Sequence, residues 1–275
     1  PAHSRCGVVC VDDEWGLRLA QESEVPVTTV SVFSHREADW TVRRINFDRA
    51  IPAVTFDLVT PQGDERLIRM PMLGEVNVQN AVVALVAALK LGCEFEAAVS
   101  ALEGAEQIPG RMTSVNPDPG AQPLVIVDFA HTPEGLDWTL KSVRELTRGK
   151  LVLVFGTDGD RDATKREPLA EIAAQLADVL WVTDENPRTE DASSIRQQLL
   201  NGIRRVRPDF HDVTEVTTCR RDAVRQAILA ADAGDIVVIS GKGAEWYQDI
   251  QGIKHVYNDV PVAREVLEQD IRARL

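Results

Sequence analysis

Residues 150–166, KLVLVFGTDGDRDATKR, decide the fold. The apolar run LVLVF has no polar interruption, which is the pattern of a strand buried on both faces. Glycine and threonine then supply a turn, and the charged residues that follow open a helix near 165–177. The same rhythm recurs in PLVIVDF (123–129), DVLWVTD (178–184) and DIVVISG (235–241), with helices near 134–147, 193–205, 221–232 and 260–273 and a weaker strand near 212–218. Buried strands alternating with amphipathic helices predict an α/β unit with a mostly parallel sheet covered on both faces. Ligands of such sheets bind at the carboxyl ends of the strands. The unusual residues lie there in each case: DFAHTP (128–133), GTDGDRDATKR (156–166), TDENPR (183–188) and GKGAE (241–245). A shared site explains this better than polar residues scattered over both sheet ends.

The first part of the chain reads differently. VVCVDD (8–13) is a strand and EWGLRLAQE the helix after it. TTVSV, WTVRRINFD, AVTFDLVTP and ERLIRMPM follow, with turns at DRAIP and PQGDE, and their period-2 patterning predicts antiparallel strands. Residues 77–91 (NVQNAVVALVAALKL) form the most apolar helix, ended by Gly92 and followed by a second helix near 94–104. Asn77 stands as its N-cap candidate. IPGRMTSVNPDPGAQP (108–123), rich in proline and glycine, reads as a connection, so two domains are expected, 1–110 and 111–275.

A formal net charge of -13 opposes a nucleic-acid surface, which needs clustered Lys and Arg. No apolar run is long enough for a membrane helix and no signal peptide is visible, so neither membrane nor nucleic acid is an expected partner and the expected location is cytoplasmic. Cys6, Cys10, Cys93 and Cys219 lack metal-type spacing and read as reduced thiols. The sequence starts at Pro1, just before a core strand, which reads as a fragment lacking an upstream part.

Taken on chemistry alone, each loop has a functional and an ordinary reading. Arg161, Lys165 and Arg166 at a helix start suit an anion, or belong to a solvated helix start. His131 could carry a proton or simply be a satisfied structural histidine. Asp128 could accept from ribose hydroxyls or cap the next turn. Asn77 and Asn80, three apart, could point their amides at a heterocycle or serve the helix end. TDENPR, with its acids, its Asn-Pro break and Arg188, suits a ligand carrying both charges. No GxxxxGK[ST] loop, catalytic triad or metal-ligand spacing is present.

In this order VDDEWG (11–16), GEVNVQNAVVA (74–84), PGRM (109–112), VDFAHTP (127–133), FGTDGDRDATKR (155–166), TDENPR and GKGAE resemble the Mur ligase family, most specifically the branch that adds the third residue of the peptidoglycan precursor peptide. The resemblance implies the later part of a central ATPase domain followed by a Rossmann-like C-terminal domain. It also implies ATP with Mg2+, the P-loop and the magnesium ligands lying upstream of this chain, and no activity of this stretch alone. The implied reaction is amide formation on UDP-MurNAc-L-Ala-D-Glu through an acyl phosphate, with meso-diaminopimelate, or alternatively lysine or ornithine, as the incoming amine. A different amide ligase of the superfamily, or a binding module without catalysis, are the alternatives.

By position, Asn77, Asn80, Arg111, Asp128 and Lys165 match nucleotide-side residues, with Arg166 a weaker match. His131 matches a contact to the UDP-peptide, and Arg161, Glu185, Asn186, Arg188, Gly241 and Glu245 match residues that hold the amino acid. Three positions depart from the family pattern: Glu185 for an aspartate, Ala244 for a histidine and Asp158 for a glycine. Arg188 suits the distal carboxylate of diaminopimelate, whereas the extra acids suit a purely cationic end.

Overall fold

The structure, a computed structural model, describes residues 6–33, 36–48, 52–116 and 120–274. Its fold class is α/β, and the chain divides into two units, Pro1–Glu106 and Gln107–Leu275. In the first, Gly7–Cys10 (β1), Glu14–Glu22 (α1) and Val27–Ser31 (β2) are followed by Trp40–Asp48 (β3), Ala53–Val59 (β4) and Glu65–Met70 (β5). Two helices, Glu75–Lys90 (α2) and Phe95–Glu103 (α3), complete it. The sheet order is β1-β2-β3-β4-β5. Antiparallel pairing holds for β3 with β4 and β4 with β5, as the alternation in ERLIRM predicts. It fails for β2, which runs parallel to both β1 and β3. For β1 and β2 the reason is α1: a helix between two strands is a crossover, and a crossover returns the chain in the same direction.

The apolar face of α2 (Val78, Val82, Leu85, Val86) packs with Phe56, Leu58, Ile68 and Met70 from the sheet, and Trp40 stacks on Phe95 at 6.2 Å. The helix begins at Glu75 with Gly74 as its N-cap, so Asn77 is not the cap. Asn77 is buried in the first turn instead, and its Nδ2 donates to Leu73 O at 2.6 Å.

The second unit begins earlier than the proline-rich stretch suggests. Thr113–Ser114 (β6) lies inside the expected connection and pairs antiparallel with Leu124–Asp128 (β7). Residues 117–119 of that stretch, and 49–51 of the DRAIP turn, lie outside the described residues. After β7 come Pro133–Arg144 (α4), Leu151–Phe155 (β8), Arg166–Leu176 (α5), Val179–Val182 (β9), Ala192–Val206 (α6), Val213–Glu215 (β10), Arg220–Leu229 (α7) and Ile236–Ser240 (β11). A hairpin, Tyr247–Ile250 (β12) with Ile253–Val256 (β13), precedes Asp259–Arg274 (α8). The six-stranded sheet runs β10-β9-β8-β11-β7-β6, parallel except for the edge strand β6. Every residue of β7, β8 and β11 is buried, because helices cover both faces. β11 sits between β7 and β8. The loops after these three strands and after β9 therefore open on one edge of the sheet, the position where α/β sheets bind ligands.

Candidate functional site

Backbone contacts bring the loops of the second unit together before any side chain does. Gly110, at φ +69°, packs against the GKGAE loop so closely that a Cβ would lie 2.1 Å from Ala244 N. Gly241 donates its N–H to Asp128 O at 3.1 Å, and Gly159 donates to Asn186 O at 2.8 Å. A Cβ on Gly241 (φ +114°) would meet Glu185 Oε2 at 2.5 Å, so glycine is required there on both counts.

Asn186 is the hub. Its Nδ2 donates to Asp158 Oδ1 at 2.9 Å and to Glu245 Oε2 at 3.0 Å. Its Oδ1 accepts from Lys242 Nζ at 2.8 Å and from Asp249 N at 3.1 Å. All four hydrogen-bonding capacities of the amide are used, which fixes its orientation and ties three loops to the hairpin. Lys242 has no exposed surface and also donates to Glu245 Oε2 at 2.8 Å. Burial works against ionisation of Glu245, yet the hydrogen bonds from Lys242 and Asn186 outweigh it and hold its carboxyl below the usual range.

Arg188 adopts φ +53°, and its backbone is held by the hairpin: its N–H donates to Asp249 O and its O accepts from Gln251 N. Its Nη2 lies 3.4 Å from Asp158 Oδ2. Glu185 is 2% exposed, and its Oε2 has no hydrogen-bond partner among the described residues. Burial, reinforced by the charge of Asp158, pushes its pKa up to about 8, against the pull of Arg220 and Lys242. Beneath it, Arg220 binds Asp259 through Nε and Nη2 at 2.9 Å, with Tyr257 Oη donating to the same carboxylate. Arg220 Nη1 and Arg188 Nε are likewise buried without a hydrogen-bond partner among the described residues.

Around β7 the structure assigns work to three candidates. Asp128 accepts from Met112 N (2.8 Å), Ala130 N (3.0 Å) and Thr139 Oγ1 (2.9 Å), so most of its capacity ties the segment before β6 and helix α4 to the end of β7. Exposed Arg111 lies over the Phe129 ring, its Cζ 4.4 Å from the centroid. His131 Nδ1 is 2.8 Å from Phe129 O and its ring meets Phe129 edge-on.

At the α5 start, Arg161 is exposed and Lys165 half-buried in the N-cap position. Arg166 is not an anion site: it is 1% exposed and forks onto Glu190 at 2.9 and 2.8 Å while donating to Asp158 O. In the first unit, Asn80 is exposed one turn from buried Asn77. None of these candidates lines the cavity of about 440 Å³ in that unit, which Trp40, Asp39 and Lys90 border.

The structure therefore joins Glu185, Asn186, Arg188, Gly241 and Glu245 into one cluster with Asp158. Two members escaped the sequence reading. Lys242 stands inside the quoted GKGAE, and its position directly after a buried strand was the available signal. Arg220 gave none, since an arginine at a helix start reads as solvated.

Comparison with known proteins bears on the family of the chain. The Mur ligase middle domain matches residues 2–88, and the Mur ligase glutamate ligase domain matches residues 110–243. A UDP-N-acetylmuramoyl-L-alanyl-D-glutamate--2,6-diaminopimelate ligase of Streptomyces coelicolor is 36% identical over 269 residues, which is 98% of this chain and 52% of the relative. A UDP-N-acetylmuramyl-tripeptide synthetase of Leifsonia xyli is 40% identical over 273 residues, with the same coverage of 98% and 52%. A solved diaminopimelate ligase of the same name superposes with a TM-score of 0.64 at 33% identity, covering 97% of this chain and 54% of that one. The chain spans about half the length of the curated relatives it matches.

Proposed function

The chain belongs to the Mur ligase family, and on that premise we propose that it supplies the amino-acid-selecting part of an ATP-dependent amide ligase of peptidoglycan precursor synthesis. The acceptor is UDP-MurNAc-L-Ala-D-Glu and the incoming group a diamino acid. ATP phosphorylates the terminal carboxylate, the amine attacks the acyl phosphate, and phosphate leaves. Such a reaction rests on positioning and charge more than on a protein nucleophile. The observation that carries the reading is the four-way bonding of Asn186, which fixes Asp158, Lys242 and Glu245 at the carboxyl edge of a parallel sheet.

Within this reading Arg161, Glu185, Asn186, Arg188, Gly241 and Glu245 hold the amino acid. Arg111 and Asn80 are the exposed groups suited to ATP, and His131 faces the UDP-peptide. Lys165 stays a nucleotide candidate, and Asn77 and Asp128 support their neighbours with side chains already engaged. The family uses ATP with Mg2+. Among the described residues no group of three or more His, Cys, Asp or Glu side chains is placed to hold a metal, so no step is assigned to a metal on this chain. Among those residues no helix is long and apolar enough to cross a membrane, and the reading places the protein in the cytoplasm with its nucleotide substrates.

meso-Diaminopimelate is the amino acid in the names of several relatives, and the similarity supports it. Lysine or ornithine is a second reading, which the contact between Asp158 and Arg188 favours. The test is an assay of the full-length ligase with ATP, the UDP-dipeptide and an amino acid. Phosphate release that requires both substrates, with a tripeptide product by mass spectrometry, is expected. Phosphate release indifferent to the UDP-dipeptide would sink the proposal.

A further inference from the structure

Among the candidate residues that hold the amino acid, the basic groups are Arg161 and Arg188, and Lys242 lies buried against Asn186. Lys242 is fully buried and committed to Asn186 and Glu245. Arg188 meets Asp158 through Nη2 at 3.4 Å while its Nε is buried without a partner among the described residues, and the hairpin holds its backbone on both sides. Asp158 is itself held, since its second oxygen accepts from Asn186. Arg161 is exposed and without an ion pair among the described residues.

The two solvent-accessible acids of the cluster, Asp158 and Glu245, match Arg188 and Lys242 one for one. Asp158 and Glu245 keep side-chain exposures of 17% and 27%, so both can meet a ligand. Glu185, 2% exposed behind them, points an oxygen without a partner into the same cluster. A ligand carboxylate aimed at Arg188 would have to displace Asp158 or lie against it at like-charge distance, whereas an ammonium meets Asp158 and Glu245 directly. Specificity built by repulsion needs only such an internal competitor.

Resting on the ligase reading, we infer that Asp158 is a specificity-determining residue: by holding Arg188 from within, it sets the site for a diamino acid whose side chain ends in an ammonium alone. An amino acid with a second carboxylate at that end is disfavoured by the same residue.

The experiment compares kcat/KM of the full-length ligase for L-lysine, L-ornithine and meso-diaminopimelate, using UDP-MurNAc-L-Ala-D-Glu and ATP. The wild type is expected to favour lysine or ornithine by about tenfold or more, the scale of one charge-assisted contact. Asp158→Gly frees Arg188 and should raise kcat/KM for diaminopimelate by about tenfold. Asp158→Asn should shift it the same way by less, and adding Arg188→Ala to Asp158→Gly should abolish the gain. Melting temperatures verify that the variants fold, and the wild-type ranking decides even if one does not. Equal or better use of diaminopimelate by the wild type overturns the inference and leaves the ligase reading intact. Ligation of none of the three amino acids overturns both.

Discussion

Lys242 Nζ lies 2.8 Å from Asn186 Oδ1 with no part of the lysine exposed, so the cation that orders the Asn186 cluster never meets solvent. Removing it leaves an acceptor on Asn186 without a donor and Glu245 without its cation. Lys242→Met, which keeps the apolar stem, should destabilise the second unit by about 2–3 kcal/mol, the cost of leaving partly buried polar partners unpaired. Urea unfolding measures it, and a loss below about 0.5 kcal/mol, typical of a surface site, would show that Lys242 is not the anchor.

Glu185 makes stability depend on pH in an unusual direction. Its burial and the charge of Asp158 raise its pKa from 4.5 to about 8 in the folded chain. A carboxyl shifted upward binds its proton more tightly when folded. The stability it contributes is complete below about pH 4.5 and is lost as pH rises through about 8. Between those values one proton separates the two states, a slope of about 1.4 kcal/mol per pH unit at most. Glu185→Gln removes the titration, so urea midpoints of wild type and variant should diverge from pH 5.5 to pH 8, the wild type falling. Parallel curves would place the Glu185 pKa near its ordinary value.

Gly110 gives a backbone test of how the PGRM and GKGAE loops meet. Its φ of +69° suits glycine, and a Cβ would lie 2.1 Å from Ala244 N, where backbone cannot retreat cheaply. Gly110→Ala should lower stability by about 1–3 kcal/mol through strain and displacement together. It should also disturb Arg111, the next residue, and, if Arg111 serves the nucleotide as proposed, weaken ATP binding by the full-length ligase. Unchanged melting temperature would mean that the two loops do not touch in solution.

The parts legible in the sequence were those with a single physical cause. LVIVD, LVLVF and IVVIS read as central parallel strands because helices on both faces demand uninterrupted apolar residues. The direction of β2 was misread because alternation was weighed above the intervening helix α1. The hairpin β12–β13 was missed because it is polar and outward, IKHV being exposed throughout, though Gln251 and Gly252 at positive φ mark its turn. At the site, TDENPR and GKGAE could be named but not wired: only the fold shows that Asp158, a departure noted from sequence, answers Arg188. Long cations such as Lys242, Arg166 and Arg220 read as surface by default; Arg166 and Arg220 are buried where a carboxylate on another element meets them, and Lys242 where Asn186 from a neighbouring loop and Glu245 of its own loop meet it.

Arg166 and Lys165 are neighbours in sequence with opposite fates, and mutation should separate them. Arg166 is 1% exposed, forks onto both oxygens of Glu190, and reaches Asp158 O. Its hydrogen bonds hold the Glu190 carboxyl below the usual range, with help from Asp160 N. Arg166→Ala leaves Glu190 without its cation and opens space beside the loop that carries Asp158. A stability loss of about 2–3 kcal/mol is expected, tempered because Glu190 keeps some access to water. Lys165 makes no such pairs among the described residues and sits half-buried at the helix start, so Lys165→Ala should cost about 0.5 kcal/mol or less. If Lys165 serves the nucleotide, its loss should instead raise the KM for ATP in the full-length ligase. Urea unfolding and ATP titration of both variants distinguish the roles, and equal stability losses would contradict the assignment of Arg166 as the internal clamp.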